Sequence, residues 1–385
     1  MIRIHKYFLV ILTGMAACGD SKPISISGDL AFPSDRECTL GGSSPCNEAV
    51  NGIQGEWVWT PTPTSQCLDG SPTGFGLRVG SDIRQVVIYL EGGGACYNPW
   101  SCENIFTPKF GEEDFGDGKH TGIFALEDEK NPFRTWTQVY IPYCSGDLHS
   151  GSVPFGEGYE GKAHWGYQNI SLVLKSLVPS LKDADKIIVA GSSAGGFGAS
   201  YNWLRFQKAF HPVPVDLIDD SGPFLSSQYL PSCFHERVFK LWNQAPALPK
   251  DCSECFNTSE SFVAPLEYTL RYLPQRRYAL LTSVNDFVIR SFFSFTLDDC
   301  QQWDSTKSPK YNSQAFENSL EDYHQRMAAY DNSFIYETKG DGHVLFFDDF
   351  SDGIRSEQSG IKLYDWINSF LYEDSVQNVL VNRSR

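Results

Sequence analysis

The sequence predicts an α/β fold with a doubly wound, mostly parallel sheet and long disulfide-bridged loops. Short apolar runs of strand length recur along the chain, and each ends in glycine or polar residues. Near-continuous hydrophobic strands of this kind are typical of a parallel sheet that is covered on both faces. Amphipathic helical segments lie between several of these runs, which indicates strands alternating with helices. The 385 residues include 33 glycines and 21 prolines, which favour extensive loops.

Six strands are predicted, and glycine or polar residues follow each of them. They span residues 84–90, 136–142, 186–190, 213–218, 278–283 and 334–338. The carboxyl ends of parallel strands meet at one edge of a sheet, and ligands bind there. We therefore expect the polar clusters that follow these strands to lie together.

Segments with helical periodicity lie between several of the strands and near the end of the sequence. The predicted helices span residues 168–181, 196–210, 320–330 and 361–371. The segment 320–330, which contains His324, is interpreted as a surface helix. The alternation of strands and helices is what favours the doubly wound arrangement.

The pattern G-x-S-x-G occurs at residues 191–195 (GSSAG), between the strand 186–190 and the helix 196–210. In this context the serine lies on a tight strand-to-helix turn that projects its hydroxyl into a site. The flanking glycines allow the backbone to approach closely. The pattern indicates Ser193 as the nucleophile of an α/β-hydrolase-type enzyme. An ordinary glycine-rich turn that binds a phosphate is the alternative.

A serine nucleophile needs a base, and the base needs an orienting carboxylate. In this fold class the chain order is serine, then acid, then histidine. His343 lies in a glycine-flanked turn after the last strand and is the predicted base, whereas His324 lies on a helix. Asp286 follows the last strand but one and is the predicted acid. Asp219 and Asp220 are the alternative acids, or part of a turn that braces the site.

A glycine-rich segment follows the strand 84–90 and is predicted to bind an oxyanion. Residues 91–95 read EGGGA, and Gly93 and Gly94 can present backbone N–H groups without side-chain obstruction. Attack on an ester produces an oxyanion that preorganised donors stabilise. Ala194, directly after the nucleophile, supplies the third predicted donor.

On these motifs the chain resembles the pectin acetylesterase family, which also contains the animal Notum carboxylesterases. The resemblance is carried by LEGGGAC (90–96), IPYCSGDLHSG (141–151), GSSAGGFG (191–198) and DDSG (219–222), with weaker matches at SVND (283–286) and DGHVLF (341–346). Together these motifs span most of the chain.

The resemblance implies an α/β-hydrolase fold and hydrolysis of carboxylic esters without a cofactor. It places the family's catalytic triad on Ser193, Asp286 and His343, and the oxyanion donors on the three amides named above. Notum-type members have a tryptophan where Gly94 stands. The resemblance therefore implies a different pocket entrance here.

Eleven cysteines are present, and ten remain when Cys18 is set aside. An even number in an exported protein indicates disulfides, at most five here, whose pairing does not follow from sequence. Cys252 and Cys255 form a C-x-x-C pair. Without a second pair this is a weak zinc signal, and bridges are favoured over a metal.

The first residues are interpreted as a targeting signal. Arg3 and Lys6 precede an apolar run, residues 7–15, that is too short to span a bilayer. The following MAAC resembles the bacterial lipobox, whose cysteine, here Cys18, is lipidated. An ordinary signal peptide cut nearby is the alternative.

This interpretation predicts the domain organisation and the location of the protein. The expected parts are a signal peptide (1–17), a lipid anchor and tether (18–37) and a single catalytic domain (38–385). The protein is then a bacterial cell-envelope lipoprotein or is secreted, and the membrane is a partner only through the lipid. A monomer is favoured.

The formal charge of −16 bears on the substrate. Removing the predicted signal deletes Arg3 and Lys6, which brings the mature chain near −18. Such a surface repels polyanions, so nucleic acid is not an expected partner and unesterified polygalacturonate is disfavoured.

The leading hypothesis is therefore an esterase that removes acetyl or short acyl groups from a carbohydrate. The expected partner is an esterified small molecule or polysaccharide. A fatty-acyl deacylase of the Notum type and a non-catalytic glycan-binding lipoprotein are the alternatives. Asp147 and His149 are candidates to line the pocket. Tyr97, Trp100 and Trp165 are candidates for a sugar platform or for core packing.

Overall fold

One eight-stranded sheet organises the part of the chain that the computed structural model describes. The described residues are 37–42, 45–105, 107–257, 262–347 and 359–383. The predicted signal peptide and the lipidation site at Cys18 lie outside them. These described residues form one unit. Within the described residues, no helix is long and apolar enough to cross a membrane.

The sheet is mostly parallel, as predicted. Its strands in chain order are β1 (Trp57–Thr62), β2 (Thr73–Arg78), β3 (Asp82–Leu90), β4 (Trp136–Ile141), β5 (Lys186–Ser192), β6 (Val215–Asp220), β7 (Tyr278–Ser283) and β8 (Ser333–Thr338). Their order in space is β1-β2-β4-β3-β5-β6-β7-β8. The pairs β1–β2 and β2–β4 are antiparallel. The other six strands, β3 to β8, are parallel to one another. All six predicted strands are therefore present, and β1 and β2 were not predicted.

Side chains alternate between two hydrophobic cores, one on each face of the sheet. On β5, Ile187 and Val189 join one core, whereas Ile188 and Ala190 join the other. All four side chains are fully buried. A strand that is buried on both faces has no polar alternation, which is why the sequence shows continuous apolar runs.

Among the described residues, ten helices pack around the sheet or lie in its connections. They are α1 (Pro99–Glu103), α2 (Glu112–Phe115), α3 (Gly166–Ser180), α4 (Ala194–Phe210), α5 (Ser232–Leu241), α6 (Ala264–Tyr272), α7 (Phe287–Phe293), α8 (Leu297–Cys300), α9 (Ser313–Met327) and α10 (Leu363–Tyr372). Helices α3, α4 and α9 contribute to one core, and α10 contributes to the other.

The predicted surface helix is α9, and the prediction that His324 lies on its surface is wrong. His324 is 8% exposed, and its Nε2 lies 2.9 Å from Oε1 of the buried Glu337 on β8. The apolar residues Phe316, Leu320 and Tyr323 bury one face of α9 against the sheet. His324 packs inward with that face because it lies four residues after Leu320.

All ten cysteines other than Cys18 form disulfides. The pairs are Cys38–Cys46, Cys67–Cys144, Cys96–Cys102, Cys233–Cys300 and Cys252–Cys255. The C-x-x-C pair is therefore a disulfide rather than part of a zinc site.

The segment after α10 returns to the sheet beside β8. Val379 forms a parallel bridge with Tyr336, and its N–H donates to the Ile335 carbonyl at 2.9 Å. The Glu337 N–H donates to the Val379 carbonyl at 2.7 Å. These bonds fix the segment along the outer side of β8.

Candidate active site

Ser193 lies at the junction of β5 and α4 with an unfavourable backbone conformation. Its φ is 58° and its ψ is −123°, a positive-φ conformation that non-glycine residues rarely adopt. The Ser193 N–H donates to the Asp220 carbonyl at 2.7 Å. A Cβ atom at Gly195 would lie 2.0 Å from the Leu90 carbonyl oxygen, so only glycine fits there. The turn is thus held by β3 and β6, which flank β5.

The glycine segment after β3 lies directly against this turn. A Cβ atom at Gly92 would approach the Ser192 carbonyl oxygen to 2.3 Å. Gly93 and Gly94 have φ values of 150° and 92°, and both residues line the same cavity as Ser193. Ala194 is the first residue of α4, where backbone N–H groups have no partner within the helix. The three predicted oxyanion donors therefore lie beside the predicted nucleophile.

His343 and Asp286 form a hydrogen-bonded pair. His343 Nδ1 lies 2.7 Å from Asp286 Oδ2. The buried Asp286 caps α7, and its Oδ1 accepts the N–H groups of Val288 at 2.9 Å and Ile289 at 3.0 Å. A helix N-terminus stabilises a negative carboxylate. The acceptor on Nδ1 favours a proton there, which leaves Nε2 as the basic nitrogen.

The two alternative acids bind other groups. Asp219 accepts the Gly222 N–H at 2.8 Å and the Ser200 hydroxyl at 3.2 Å. Asp220 accepts the Ser192 hydroxyl at 2.7 Å and the N–H groups of two residues that follow His343. Burial raises the pKa of Asp220 to about 6, although these donors oppose the shift. Asp220 thus contacts the turns beside Ser193 and His343, as expected if its own turn braces the site.

Two cavities of different size meet at Ser193. The larger has a volume of about 410 Å³ and contains Ser193 and His343 together. The smaller has a volume of about 30 Å³ and is lined by Ser193, Ala194, Gly94 and apolar side chains. The apolar residues of the smaller cavity are Ala95, Tyr97, Leu148, Phe197, Phe234, Trp242, Ile289, Phe292 and Phe293. A group bound at Ser193 therefore has a narrow side and a wide side.

The wide side carries polar groups that sequence reasoning missed. The Lys119 ammonium lies 4.8 Å from the centroid of the Tyr140 ring and 5.3 Å from that of Phe110. Burial raises the pKa of Glu91, whose carboxylate accepts the Tyr143 N–H at 3.0 Å. The position of Glu91 directly before the glycine segment could have indicated that it lies at the site. Lys119 lies in a long connection with no motif, so no comparable signal pointed to it.

Other candidate pocket residues are buried elsewhere. Asp147 is fully buried and accepts the Gly166 N–H at 2.7 Å at the start of α3. His149 is 2% exposed, and its Nε2 lies 2.9 Å from the Glu91 carbonyl oxygen. Neither lines the cavity that contains Ser193 and His343. Their polar groups organise the loop after β4 instead.

The predicted sugar platform is also not formed as expected. Tyr97 is 2% exposed and packs 4.9 Å from the Trp303 ring centroid. Trp100 packs against Phe295 at a centroid distance of 5.1 Å. Core packing, the alternative interpretation of these aromatics, describes both residues. Trp165 does not line either cavity.

This arrangement contains the parts of a nucleophilic acyl-transfer site. It has a serine on a tight turn, a histidine paired with a buried carboxylate, and glycine amides at the same cavity. Within the described ranges, no group of three or more His, Cys, Asp or Glu side chains is arranged to hold a metal ion.

Comparisons with known proteins match the sequence over most of the chain. The sequence profile of the Pectinacetylesterase family matches residues 56–347. Palmitoleoyl-protein carboxylesterase notum2 of Xenopus laevis is 31% identical over 220 residues, which are 51% of this chain and 44% of the relative. Pectin acetylesterase 7 of Arabidopsis thaliana is 24% identical over 262 residues, which are 63% of this chain and 64% of the relative. The chain thus spans less than half the length of the first relative.

A solved structure has the same fold. The structure of the Wnt deacylase Notum from Drosophila aligns with a TM-score of 0.63 and 20% sequence identity. The alignment covers 86% of this chain and 96% of the Drosophila chain. The predicted α/β fold is confirmed by this likeness and by the mostly parallel sheet.

Proposed function

The chain belongs to the pectinacetylesterase family, and on that premise we propose that it hydrolyses carboxylic esters through an acyl-enzyme on Ser193. The observation that carries the proposal is the His343–Asp286 hydrogen bond of 2.7 Å in the cavity that contains Ser193. The names of the relatives, carboxylesterases and a pectin acetylesterase, support the same reaction class.

In the proposed mechanism, His343 Nε2 takes the proton of the Ser193 hydroxyl as the oxygen attacks the ester carbonyl. Asp286 keeps the imidazole in the required tautomer and stabilises its cationic form. The amides of Gly93, Gly94 and Ala194 stabilise the oxyanion. His343 then gives its proton to the leaving alcohol. A water molecule, activated by the same nitrogen, releases the acid from Ser193.

The two cavities support an assignment of the two halves of the ester. The leaving alcohol must lie near the histidine that protonates it, and His343 lines the wide cavity. The acyl group then lies on the opposite side of Ser193, beside Gly94 and Ala194, in the cavity of about 30 Å³. A volume of this size holds about one or two water-sized groups. It therefore suits an acetyl group.

The polar groups of the wide cavity support a carbohydrate as the alcohol. Lys119, Thr107 and Tyr140 offer hydrogen-bonding groups, and Phe347 offers an aromatic face that is partly exposed. A pyranose ring presents hydroxyl groups at its rim and C–H groups on its faces, and this lining complements both. We therefore propose deacetylation of a carbohydrate as the reaction.

A second candidate is removal of a long acyl chain, and a specific observation favours it. Most of the accessible surface of the wide cavity is apolar, with Val288, Phe292, Val344 and Phe347 in its wall. An acyl chain that enters this cavity has room for many methylene groups. The alcohol then leaves past His343, which lines the same cavity.

Hydrolysis of p-nitrophenyl esters from acetate to palmitate separates the two candidates. We expect release that peaks at acetate and falls for chains of four carbons or more, because the narrow cavity excludes them. A peak at eight carbons or more would favour the second candidate. Ser193→Ala is the control, and we expect it to lower turnover by several orders of magnitude.

Labelling with a fluorophosphonate tests the nucleophile separately. We expect one covalent adduct on Ser193 in the wild type and none in Ser193→Ala. Intact folded protein that neither reacts with the probe nor hydrolyses any ester would contradict the proposed function.

We also propose that the protein is exported. Its five disulfides support an oxidising compartment. Mass spectrometry of protein isolated from its native host tests this, together with the proposed lipid on Cys18. We expect a mature chain that begins at Cys18 with a diacylglyceryl group. An unmodified N-terminus at another residue would contradict the lipid anchor, and a chain that retains residues 1–17 would contradict export.

A further inference from the structure

Asp220, at the end of β6, joins the nucleophile turn to the loop that follows His343. Its carboxylate is fully buried and accepts four hydrogen bonds. Oδ2 accepts the Ser192 hydroxyl at 2.7 Å and the Phe346 N–H at 3.1 Å. Oδ1 accepts the Leu345 N–H at 2.8 Å and the Ser221 hydroxyl at 3.3 Å. One side chain therefore holds groups from two other segments of the chain.

The neighbouring bonds extend this connection. The Ser221 hydroxyl accepts the Val344 N–H at 3.2 Å, so Asp220 and Ser221 bind three consecutive N–H groups after His343. The Asp220 carbonyl accepts the Ser193 N–H at 2.7 Å. The residue thus contacts the backbone of the nucleophile itself and the backbone beside the base.

The loop after His343 depends on these acceptors because its own backbone is strained. Val344 has a φ of 59°, which is unfavourable for a β-branched residue. Such a conformation persists only when surrounding contacts impose it. The three N–H groups from Val344 to Phe346 all donate to Asp220 or Ser221. A negatively charged acceptor binds them more strongly than a neutral one.

We propose that Asp220 is a positioning residue, whose carboxylate fixes the His343 loop at the distance from Ser193 that proton transfer requires. The proposal rests on the proposed ester hydrolysis. Asp286 orients the imidazole ring through Nδ1, whereas Asp220 places the backbone from which that ring extends. The two carboxylates therefore have separate tasks.

Asp220→Asn tests this role. An asparagine keeps one acceptor oxygen, so its NH₂ group must face the N–H of either Leu345 or Phe346. We expect the loop to shift and kcat for p-nitrophenyl acetate to fall about 10- to 100-fold, since a displacement of about 1 Å costs that much. KM should change less than about threefold, because Asp220 does not line either cavity.

Asp216→Asn is the matched control. Asp216 is a buried aspartate on the same strand, and it does not line either cavity. It accepts the Arg277 N–H at a distance of 2.9 Å. Its variant should keep the wild-type kcat even if it loses some stability. Equal kcat values in the two variants would overturn the proposal.

Ser221→Ala is the second variant, for the case in which Asp220→Asn does not fold. It removes the acceptor of the Val344 N–H without removing a buried charge, and we expect kcat to fall about 10-fold with an unchanged KM. Unchanged kcat in Ser221→Ala, when Asp220→Asn does not fold, would also overturn the proposal.

The low-field proton resonance of the His343–Asp286 hydrogen bond provides a readout that does not require turnover. We expect this resonance to be displaced or broadened in Asp220→Asn and retained in Asp216→Asn. Its retention at the wild-type position in Asp220→Asn would contradict the positioning role. A wild type that is inactive towards every ester but shows this pattern would instead contradict only the proposed function.

Discussion

The proposed triad residues come from three loops that the sheet brings to one edge. Ser193 follows β5, Asp286 follows β7 and His343 follows β8. This convergence was predictable because the carboxyl ends of parallel strands share one edge. The place of Asp286 after the last strand but one favoured it as the acid, but the sequence left Asp220 as an alternative. In the structure it is Asp286 that contacts His343 Nδ1.

Asp286→Asn is expected to lower kcat for p-nitrophenyl acetate roughly a thousandfold. The asparagine carbonyl should keep the N–H groups of Val288 and Ile289, which turns its NH₂ group towards His343. This arrangement places the proton of the imidazole on Nε2, so the basic nitrogen is lost. Steady-state kinetics checks the prediction, with Asp216→Asn as the control. Retention of more than about one tenth of the activity would show that Asp286 is not the acid.

Lys119→Met is expected to raise KM for an acetylated oligosaccharide about 10-fold and to leave p-nitrophenyl acetate unaffected. Methionine keeps the packing against Tyr140 and Phe110, so the variant removes the ammonium alone. A hydrogen bond to a charged group contributes about 1.5–3 kcal/mol, and the lower end of that range corresponds to this change. The exposed Lys109, changed to Met, is the control. An unchanged KM for every oligosaccharide tested would show that the sugar does not reach Lys119.

At the scale of secondary structure, the predicted strand 278–283 has the same bounds as β7, and the other five predicted strands differ from the observed ones by at most two residues at either end. Strands β1 and β2 were missed for a physical reason. The sequence TGFGLR of β2 contains two glycines, which weaken a strand pattern, and in β1 Pro61 follows the strand-favouring residues 57–60 and interrupts their pattern. Every residue of β2 is nevertheless buried, because it pairs with β4. Tertiary contacts, which the local pattern does not contain, stabilise these two strands.

The contact between the glycine segment and the nucleophile turn leads to a prediction at the same scale. Gly92→Ala should lower kcat more than about 10-fold and also lower the melting temperature. Its Cβ would lie 2.3 Å from the Ser192 carbonyl oxygen, and that backbone atom cannot move without moving Ser193. Overpacking of this kind costs about 1–3 kcal/mol.

Gly111→Ala is the control for that experiment. The Cβ atom added at Gly111 meets no atom closer than 3.9 Å. Kinetic assays and thermal melts of both variants compare a position where the added Cβ meets backbone with one where it has space. Equal activities would contradict the requirement for close approach at Gly92.

At the scale of the whole molecule, Glu337 connects β8, α9 and the segment after α10. Burial alone would raise the pKa of Glu337, but the bond from His324 and the charges of His324 and Arg383 lower it overall. Glu337 Oε2 also accepts the Val381 N–H at 3.0 Å. The carboxylate therefore holds the returning segment in place.

Glu337→Gln is expected to lower the free energy of unfolding by about 2 kcal/mol at neutral pH, because charged hydrogen bonds are lost. The folded state has the lower pKa, so this contribution is present above the unfolded pKa of about 4.3. It decreases as the pH falls through the folded pKa. Urea unfolding from pH 7 to pH 3 should therefore show wild type and variant converging in acid.

Glu321→Gln is the matched control, because Glu321 pairs with Arg383 at 3.1 Å but is 54% exposed. Exposed ion pairs contribute little to stability. A difference between wild type and Glu337→Gln that did not decrease in acid would contradict the ionised state of Glu337.

Disulfide connectivity and the order of strands in space could not be predicted from the sequence. Cys67 pairs with Cys144 and Cys233 with Cys300 across sequence separations of 77 and 67 residues. In the sheet, β4 lies between β2 and β3, so strands that are not consecutive in sequence pair with each other. Both depend on contacts between distant segments, which neither periodicity nor motif spacing encodes.

The bridge between Val379 and Tyr336 also bears on self-association of the molecule. An outermost strand with free N–H and C=O groups is a template for intermolecular pairing and aggregation. Val379 occupies the groups of Ile335 and Glu337 on the outer side of β8, and Pro61 interrupts the donors on β1 at the opposite edge. A chain shortened before residue 376 should therefore self-associate through β8, which light scattering would detect.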